Sequence, residues 1–299
     1  MKGKYVFASL NFVIKIKNNL ILHVVKQNYI FLPTFERHLK IIMKFAKHIL
    51  FFIVAFISAI GCFAQVIDRL PCLDKKFSVV VHIVEDSIGN PVIQETDILA
   101  NIDTLNRYFS PICVSFEVCE FKYIDDWRYD EFDVDSHWVE MQVKYHEEER
   151  INIFYVFNIT NPAAECSFSD QGYITHTDSS GLVIKKDGIG CYQDNLKALV
   201  HEMGHYFGLL NSFEGSELVD GSNCSTDGDQ ICDTPADPEG TCDPTTCRFL
   251  GLDTDGNGDY FTPHVGNAMS GFPGACMCEF TYEQLLYMAN FYLTGTGNW

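Results

Sequence analysis

Basic residues are scarce in most of this chain. Its 299 residues hold 21 Lys and Arg against 40 Asp and Glu. Nine of the 21 fall within residues 1–64, which carry only one acidic residue, Glu36. The remainder keeps 12 basic against 39 acidic residues, a net charge near −27. A field of that sign excludes charge-driven binding to nucleic acid or to an anionic membrane. No Gly-rich phosphate loop, GxSxG nucleophile turn or basic patch is present, so nucleotide and serine-hydrolase chemistry have no foothold. The apolar run Ile49–Ile60 is 12 residues long, too short to span a bilayer. No internal repeat, low-complexity linker or second domain interrupts residues 65–299, so one domain with a sizeable core is expected there.

That short apolar run sits in a segment that reads as a secretory signal peptide, residues 43–64. Lys44 and Lys47 form its basic end, and Cys62-Phe63-Ala64 before Gln65 fits a small-residue cleavage site. The alternative is a lipoprotein, with Cys62 as a lipid anchor after Ala59-Ile60-Gly61. Residues 1–42 are expected to be a non-native extension upstream of a true start at Met43. Either route exports residues 65–299. Of 12 cysteines, 11 remain once Cys62 is set aside, and in an oxidising compartment they read as disulfides with one left over. Cys113 and Cys119 lie six apart in what reads as one strand, about 20 Å, so they cannot pair with each other. Cys72 is either a disulfide partner or a thiolate able to block a metal.

What is present is His201-Glu202-Met203-Gly204-His205, followed by Gly208 and Asn211. Residues four apart share one helix face, so two histidines in HExxH can hold one ion while the glutamate beside them takes a proton from water. The helix is expected over Leu196–Phe207, with Leu199, Val200 and Met203 as its apolar positions. Gly208 can end it in the left-handed region and bring residue 211 back toward the metal. The motif follows HExxHxxGxxH except that Asn211 stands at the third histidine. Elsewhere, strands are expected over Phe77–Val84, Cys113–Tyr123, Ile151–Ile159 and Gly181–Lys186. Helices are expected over Thr96–Phe109 and Thr281–Leu293. This order predicts an α/β layer arrangement.

Taken together, the residues from Gln65 to Trp299 resemble a metzincin of the pappalysin family. The features that carry the resemblance are His201–Gly215, and Gly228-Asp229 with Cys232-Asp233-Thr234-Pro235-Ala236. Two more follow: Asn267-Ala268-Met269-Ser270, and Cys278-Glu279-Phe280-Thr281 leading to Gln284. The strand Val79–Ile83 and the helix ending at Leu105-Asn106 are similar as well. The resemblance implies a metzincin-like α/β fold. A twisted mixed sheet with packed helices and an active-site helix would stand above a loop-rich lower half stapled by disulfides and calcium. It implies a secreted zinc endopeptidase acting on a protein or peptide, with His201 and His205 on zinc, Glu202 as general base and Met269 as the floor beneath the ion. Two positions depart from the family. Asn211 offers a neutral amide oxygen in place of an imidazole. Gly271 stands where a tyrosine usually supports the transition-state oxygen, and the following Phe272 has no hydroxyl. His176, His264 and Glu214 are alternative third ligands.

Asp253, Asp255, Asn257 and Asp259 alternate around Gly256 as in the first half of a calcium loop, but His264 occupies the position of the closing glutamate. Asp227, Asp229 and Asp233 form a second calcium candidate. Three functions are therefore open: a zinc endopeptidase, a catalytically inactive pseudoprotease that binds protein through the same cleft, and a calcium-bound surface module.

Overall fold

The computed structural model describes residues 69–160, 167–170, 181–186 and 195–295. Residues 1–42, the expected signal peptide with Cys62, and His176, Cys166 and Cys191 lie outside them.

Six β-branched or aromatic residues in ten make Lys75–Val84 (β1) a strand, and it lies one in from the edge of a five-stranded sheet. Val114–Ile124 (β2) lies parallel to it on one side, with a bulge between Val79 and Val80. Helix Glu95–Phe109 (α1) makes the crossover, with Glu95 and Asp97 in its first turn and Arg107 in its last, matching the helix dipole. A two-residue strand, Glu131–Phe132 (β3), precedes helix Val134–Tyr145 (α2). Beyond it, Ile151–Val156 (β4) joins the other side of β1, also parallel. Asn158–Ile159 (β5) leaves the sheet and pairs with β3. The single strand expected over 151–159 is therefore two, because the chain switches partner after Val156. Ser167–Asp170 (β6) runs antiparallel at the edge beside Gly181–Lys185 (β7), giving the order β2-β1-β4-β7-β6.

Both faces of the sheet are covered, so its inner strands are apolar on both sides. Val79, Val81, Ile83, Ile153, Tyr155 and Leu182 face α1, helix Asn195–Tyr206 (α3) and helix Tyr282–Leu293 (α4). Phe154, Val156 and Val183 face α2 through Trp138 and Met141. Helix α2 was not anticipated. Val139 and Val143 are 47% and 83% exposed, which blurs the period that Val134, Trp138 and Met141 set. Its start is nonetheless encoded: the Asp133 carboxylate accepts the Ser136 N–H. The other helices fall where expected to within one residue.

Between α3 and α4 the described chain is mostly loops, with the two-residue strands Cys242–Asp243 (β8) and Arg248–Phe249 (β9) and one 3-10 turn, Gly274–Cys276. Disulfides Cys224–Cys232 and Cys247–Cys276 tie this half together, and Cys72–Cys113 closes the start of the sheet. Cys72 is thus a disulfide partner and is not available to block a metal. Cys119, Cys242 and Cys278 are free thiols, so at least three cysteines stay unpaired where one was expected. The capping box Thr281/Gln284 starts α4 as its sequence requires.

Candidate metal centre

Helix α3 carries the centre. His201 and His205 lie one turn apart, ring centroids 4.6 Å from each other. His201 Nδ1 is 3.0 Å from the Ala268 carbonyl and His205 Nδ1 is 2.8 Å from the Leu209 carbonyl. A carbonyl oxygen only accepts, so each Nδ1 must carry its proton and donate. Both Nε2 atoms then present lone pairs, and they face each other at 3.0 Å. Two tetrahedral Zn–N bonds of 2.0–2.1 Å set their nitrogens about 3.3 Å apart. Without an ion this contact is repulsive; with one it is a chelate. Burial first, then His205 and Lys197, push the His201 pKa well below its usual value, which keeps its Nε2 lone pair available. The buried Glu202 carboxylate completes a group whose ligand atoms all lie within 4.8 Å of one another.

After α3 the chain turns at Gly208, φ +86°, where a Cβ would stand 2.8 Å from the Phe291 ring of α4. Ser212 N–H donates to the Met269 carbonyl at 3.0 Å, fixing the returning segment. Asn211 comes to lie beside His201. Its Nδ2 donates to Glu214 Oε1 at 3.0 Å, while its Oδ1 is shut off from solvent with no hydrogen-bond partner. An orphaned carbonyl-type oxygen next to the histidine pair fits a third metal donor. Glu214, expected as an alternative ligand, instead holds the Asn211 amide with its oxygen free. His264 is grouped with Cys278 and Glu279 and not with this centre.

Met269 is fully buried beneath the helix. Gly204, between the two histidines, makes that approach feasible, since a Cβ there would sit 2.4 Å from Met269 Sδ. The turn itself is pinned by Asn267. Its Oδ1 accepts the Met269 N–H at 2.7 Å, and its Nδ2 donates to Gln284 Oε1 of α4 at 3.0 Å. Lys197, one turn before His201, was missed from sequence. It is buried and donates to the Asn267 and Ala268 carbonyls at 3.1 and 2.7 Å, and burial lowers its pKa to about 7. The signal was a lysine at i−4 on the metal-facing side of an otherwise apolar helix. Gly271 leaves ordinary contact space toward Phe213 at 3.4 Å, and Phe272 packs in a separate cluster with Cys242, Val265 and Cys276.

The turn at 253–259 does not gather three carboxylates. Asp255 Oδ1 accepts the N–H groups of Asn257 and Asp259, and its Oδ2 that of Val219. Asp253 and Asp259 are exposed. Asp255 thus builds the turn through its own backbone contacts, as Asx motifs do. In the second candidate, Asp233 Oδ2 accepts the Glu283 N–H at the start of α4. Glu217 and Asp229 are not gathered into a three-ligand group either, but they differ from the exposed acids in burial. Both are buried with an unpartnered oxygen, Glu217 Oε2 and Asp229 Oδ2. Burial, with the charges of Asp229 and Asp227, pushes Glu217 up to about 7, and burial pushes Asp229 up to about 6.

A mixed sheet with a two-histidine, one-glutamate helix over a methionine turn defines a metalloprotease. The sequence model of the peptidase M43 family, described as Pregnancy-associated plasma protein-A, matches residues 156–292, the stretch that holds the HExxH helix, Met269 and most of α4. An extracellular metalloprotease of Verticillium alfalfae is 24% identical over 214 residues, covering 67% of this chain and 70% of its own length. One of Colletotrichum graminicola is 23% identical over 221 residues, covering 71% and 74%. Metalloproteinase-II from Bacteroides fragilis superposes with a TM-score of 0.39 at 8% identity, over 74% of this chain and 54% of that one, too distant to bear on the site. No helix among the described residues is long and apolar enough to cross a membrane.

Proposed function

We propose that this protein is an exported zinc endopeptidase with a metzincin-like catalytic domain, in which His201, His205 and the Asn211 amide oxygen hold the metal. The observation that carries the reading is the facing Nε2 pair, each imidazole locked in the metal-ready tautomer by a backbone carbonyl. Zinc, when bound, supplies a Lewis acid that polarises the scissile carbonyl and acidifies water. Glu202 takes the proton from the attacking water and returns it to the leaving amine. Lys197 and Asn267 hold the methionine turn, and through the Ala268 carbonyl they hold the His201 ring. With Gly271 in the tyrosine position, turnover is slower than three imidazoles and a hydroxyl would give, by about 10²–10³ for the missing donor alone. Calcium belongs to the same proposal as a structural ion. The residues proposed to hold it are Glu217 and Asp229, a reading supported by their burial and unpartnered oxygens.

The competing reading is a pseudoprotease that binds protein without cutting it, favoured by Gly271 and by the inward packing of Phe272. Metal content of the purified protein, measured beside cleavage of a denatured protein substrate, separates the two. Stoichiometric zinc with cleavage that Glu202→Ala abolishes supports the enzyme. Stoichiometric zinc with no cleavage, even in Asn211→His/Gly271→Tyr, replaces it with the binding domain.

A further inference from the structure

A second group of metal-type ligands lies away from the HExxH centre, where the resemblance assigns nothing. His264 comes from the segment before the methionine turn, and Cys278 and Glu279 from the segment entering α4. One ligand atom from each lies within 4.8 Å of the other two. His264 Nε2 is 3.5 Å from Glu279 Oε1. Two donors bound to one tetrahedral zinc at 2.0–2.2 Å stand about 3.4 Å apart, so this pair is already at chelating distance. Cys278 is a free thiol. Gly266 gives it room: a Cβ there would sit 2.5 Å from Cys278 Sγ and 3.4 Å from His264 Nε2. The absence of one side chain thus lets the sulfur and the imidazole share a space.

The backbone holds these residues in register. Cys278 and Glu279 N–H groups both donate to the Gly266 carbonyl, at 2.8 and 3.3 Å, and Asn267 N–H donates to the His264 carbonyl at 2.9 Å. The ligands therefore sit on two segments bridged side by side at Asn267 and Glu279, with Cys278 and Glu279 exposed and His264 half-buried. An open cleft lined by Thr104, Arg107, Tyr108 and Phe280 adjoins Cys278 and Glu279, leaving solvent access for a fourth ligand. Thiolate, imidazole and carboxylate together select a borderline-soft ion such as zinc or cobalt(II) and disfavour calcium and magnesium, which take oxygen donors.

We infer that His264, Cys278 and Glu279 form a second transition-metal site, with water as the fourth ligand and the thiol proton released to solvent on binding. Its consequence is mechanical. Ala268 N–H donates to the Glu279 carbonyl at 2.9 Å, and the Ala268 carbonyl accepts from His201. An ion here clamps the two segments that frame the methionine turn, one residue from the carbonyl that orients His201. The inference stands independently of the endopeptidase reading.

The test uses the full chain stripped of metal and titrated with cobalt(II), because a cobalt–thiolate bond gives a near-ultraviolet charge-transfer band that histidine-only sites lack. The wild type should show the band. Cys278→Ser should abolish it, and His264→Gln should weaken cobalt affinity, while His201→Ala and Cys119→Ser leave the band in place. With zinc, the wild type should bind one more ion per chain than Cys278→Ser, and that ion should raise Tm only where Cys278 is present. A wild type without the band at saturating cobalt, or a band that survives Cys278→Ser, overturns the site. Unchanged near-ultraviolet circular dichroism of Cys278→Ser and His264→Gln excludes misfolding as the cause of a loss.

Discussion

Removing the Glu214 side chain should weaken zinc binding although Glu214 never touches the ion. The Asn211 amide can present either its oxygen or its NH₂ group to the histidine pair, and only the oxygen can ligate. The bond from Nδ2 to Glu214 Oε1, 3.0 Å, decides the choice by engaging the NH₂ end, and leaves Oδ1 shielded and unpartnered. In Glu214→Ala both orientations become accessible, and ligation must recover the cost of selecting one. Loss of a partner that orients a metal ligand costs about 10–100-fold in affinity, or about 1.4–2.8 kcal/mol. Glu214 is exposed, so water replaces part of its bond and the lower end, about tenfold, is expected. Competition against a chromophoric chelator measures this directly. Asn211→Asp supplies an oxygen in either orientation, so the double variant Glu214→Ala/Asn211→Asp should bind zinc more tightly than Glu214→Ala alone. If Glu214→Ala binds zinc as tightly as the wild type, the Asn211 amide is not a ligand and the reasoning fails.

Three further outcomes are expected. Asn211→His should tighten zinc and raise peptidase activity, and adding Gly271→Tyr should raise kcat by a further factor of about 10²–10³; inert but zinc-loaded variants would count against the enzyme. Chelation of calcium should lower Tm by several degrees, since an ion at 100 times its Kd stabilises by about 2.7 kcal/mol, and Glu217→Gln should shrink that effect while Asp255→Ala leaves it; superimposable melts with and without chelator would remove the site. His82 is fully buried against Phe154 and bonded to Asn152, and burial lowers its pKa to about 4. The unfolded chain therefore takes up a proton below about pH 6.5 that the folded one refuses. Stability should fall between pH 6.5 and 4, by on the order of 3 kcal/mol. His82→Gln should flatten that limb in denaturant titrations, and parallel curves would refute the assignment.

By itself, the sequence determined the elements whose local period is clear; helix α2, whose period Val139 and Val143 blur, was not among them. Leu199, Val200 and Met203 set a helix that carries His201 and His205 on one side, because an α-helix repeats every 3.6 residues whatever surrounds it, and Gly208 offers the left-handed conformation that can end it. The β-branched run of β1, the Thr281/Gln284 cap and the impossibility of a Cys113–Cys119 bond are legible for the same reason. Tertiary structure decided what depends on residues far apart in the chain. His201 is fixed by Ala268, 67 positions away, and the shielding of the Asn211 oxygen depends on the methionine turn to which Ser212 is tied. The acidic stretch 253–259 looked like an ion site from spacing, yet Asp255 spends its oxygens on backbone N–H groups, while Glu217 and Asp229 are orphaned by burial that no local pattern announces. Alternation of residue types specifies which side chains can ligate; only the path of the loops settles which oxygen is left without a partner.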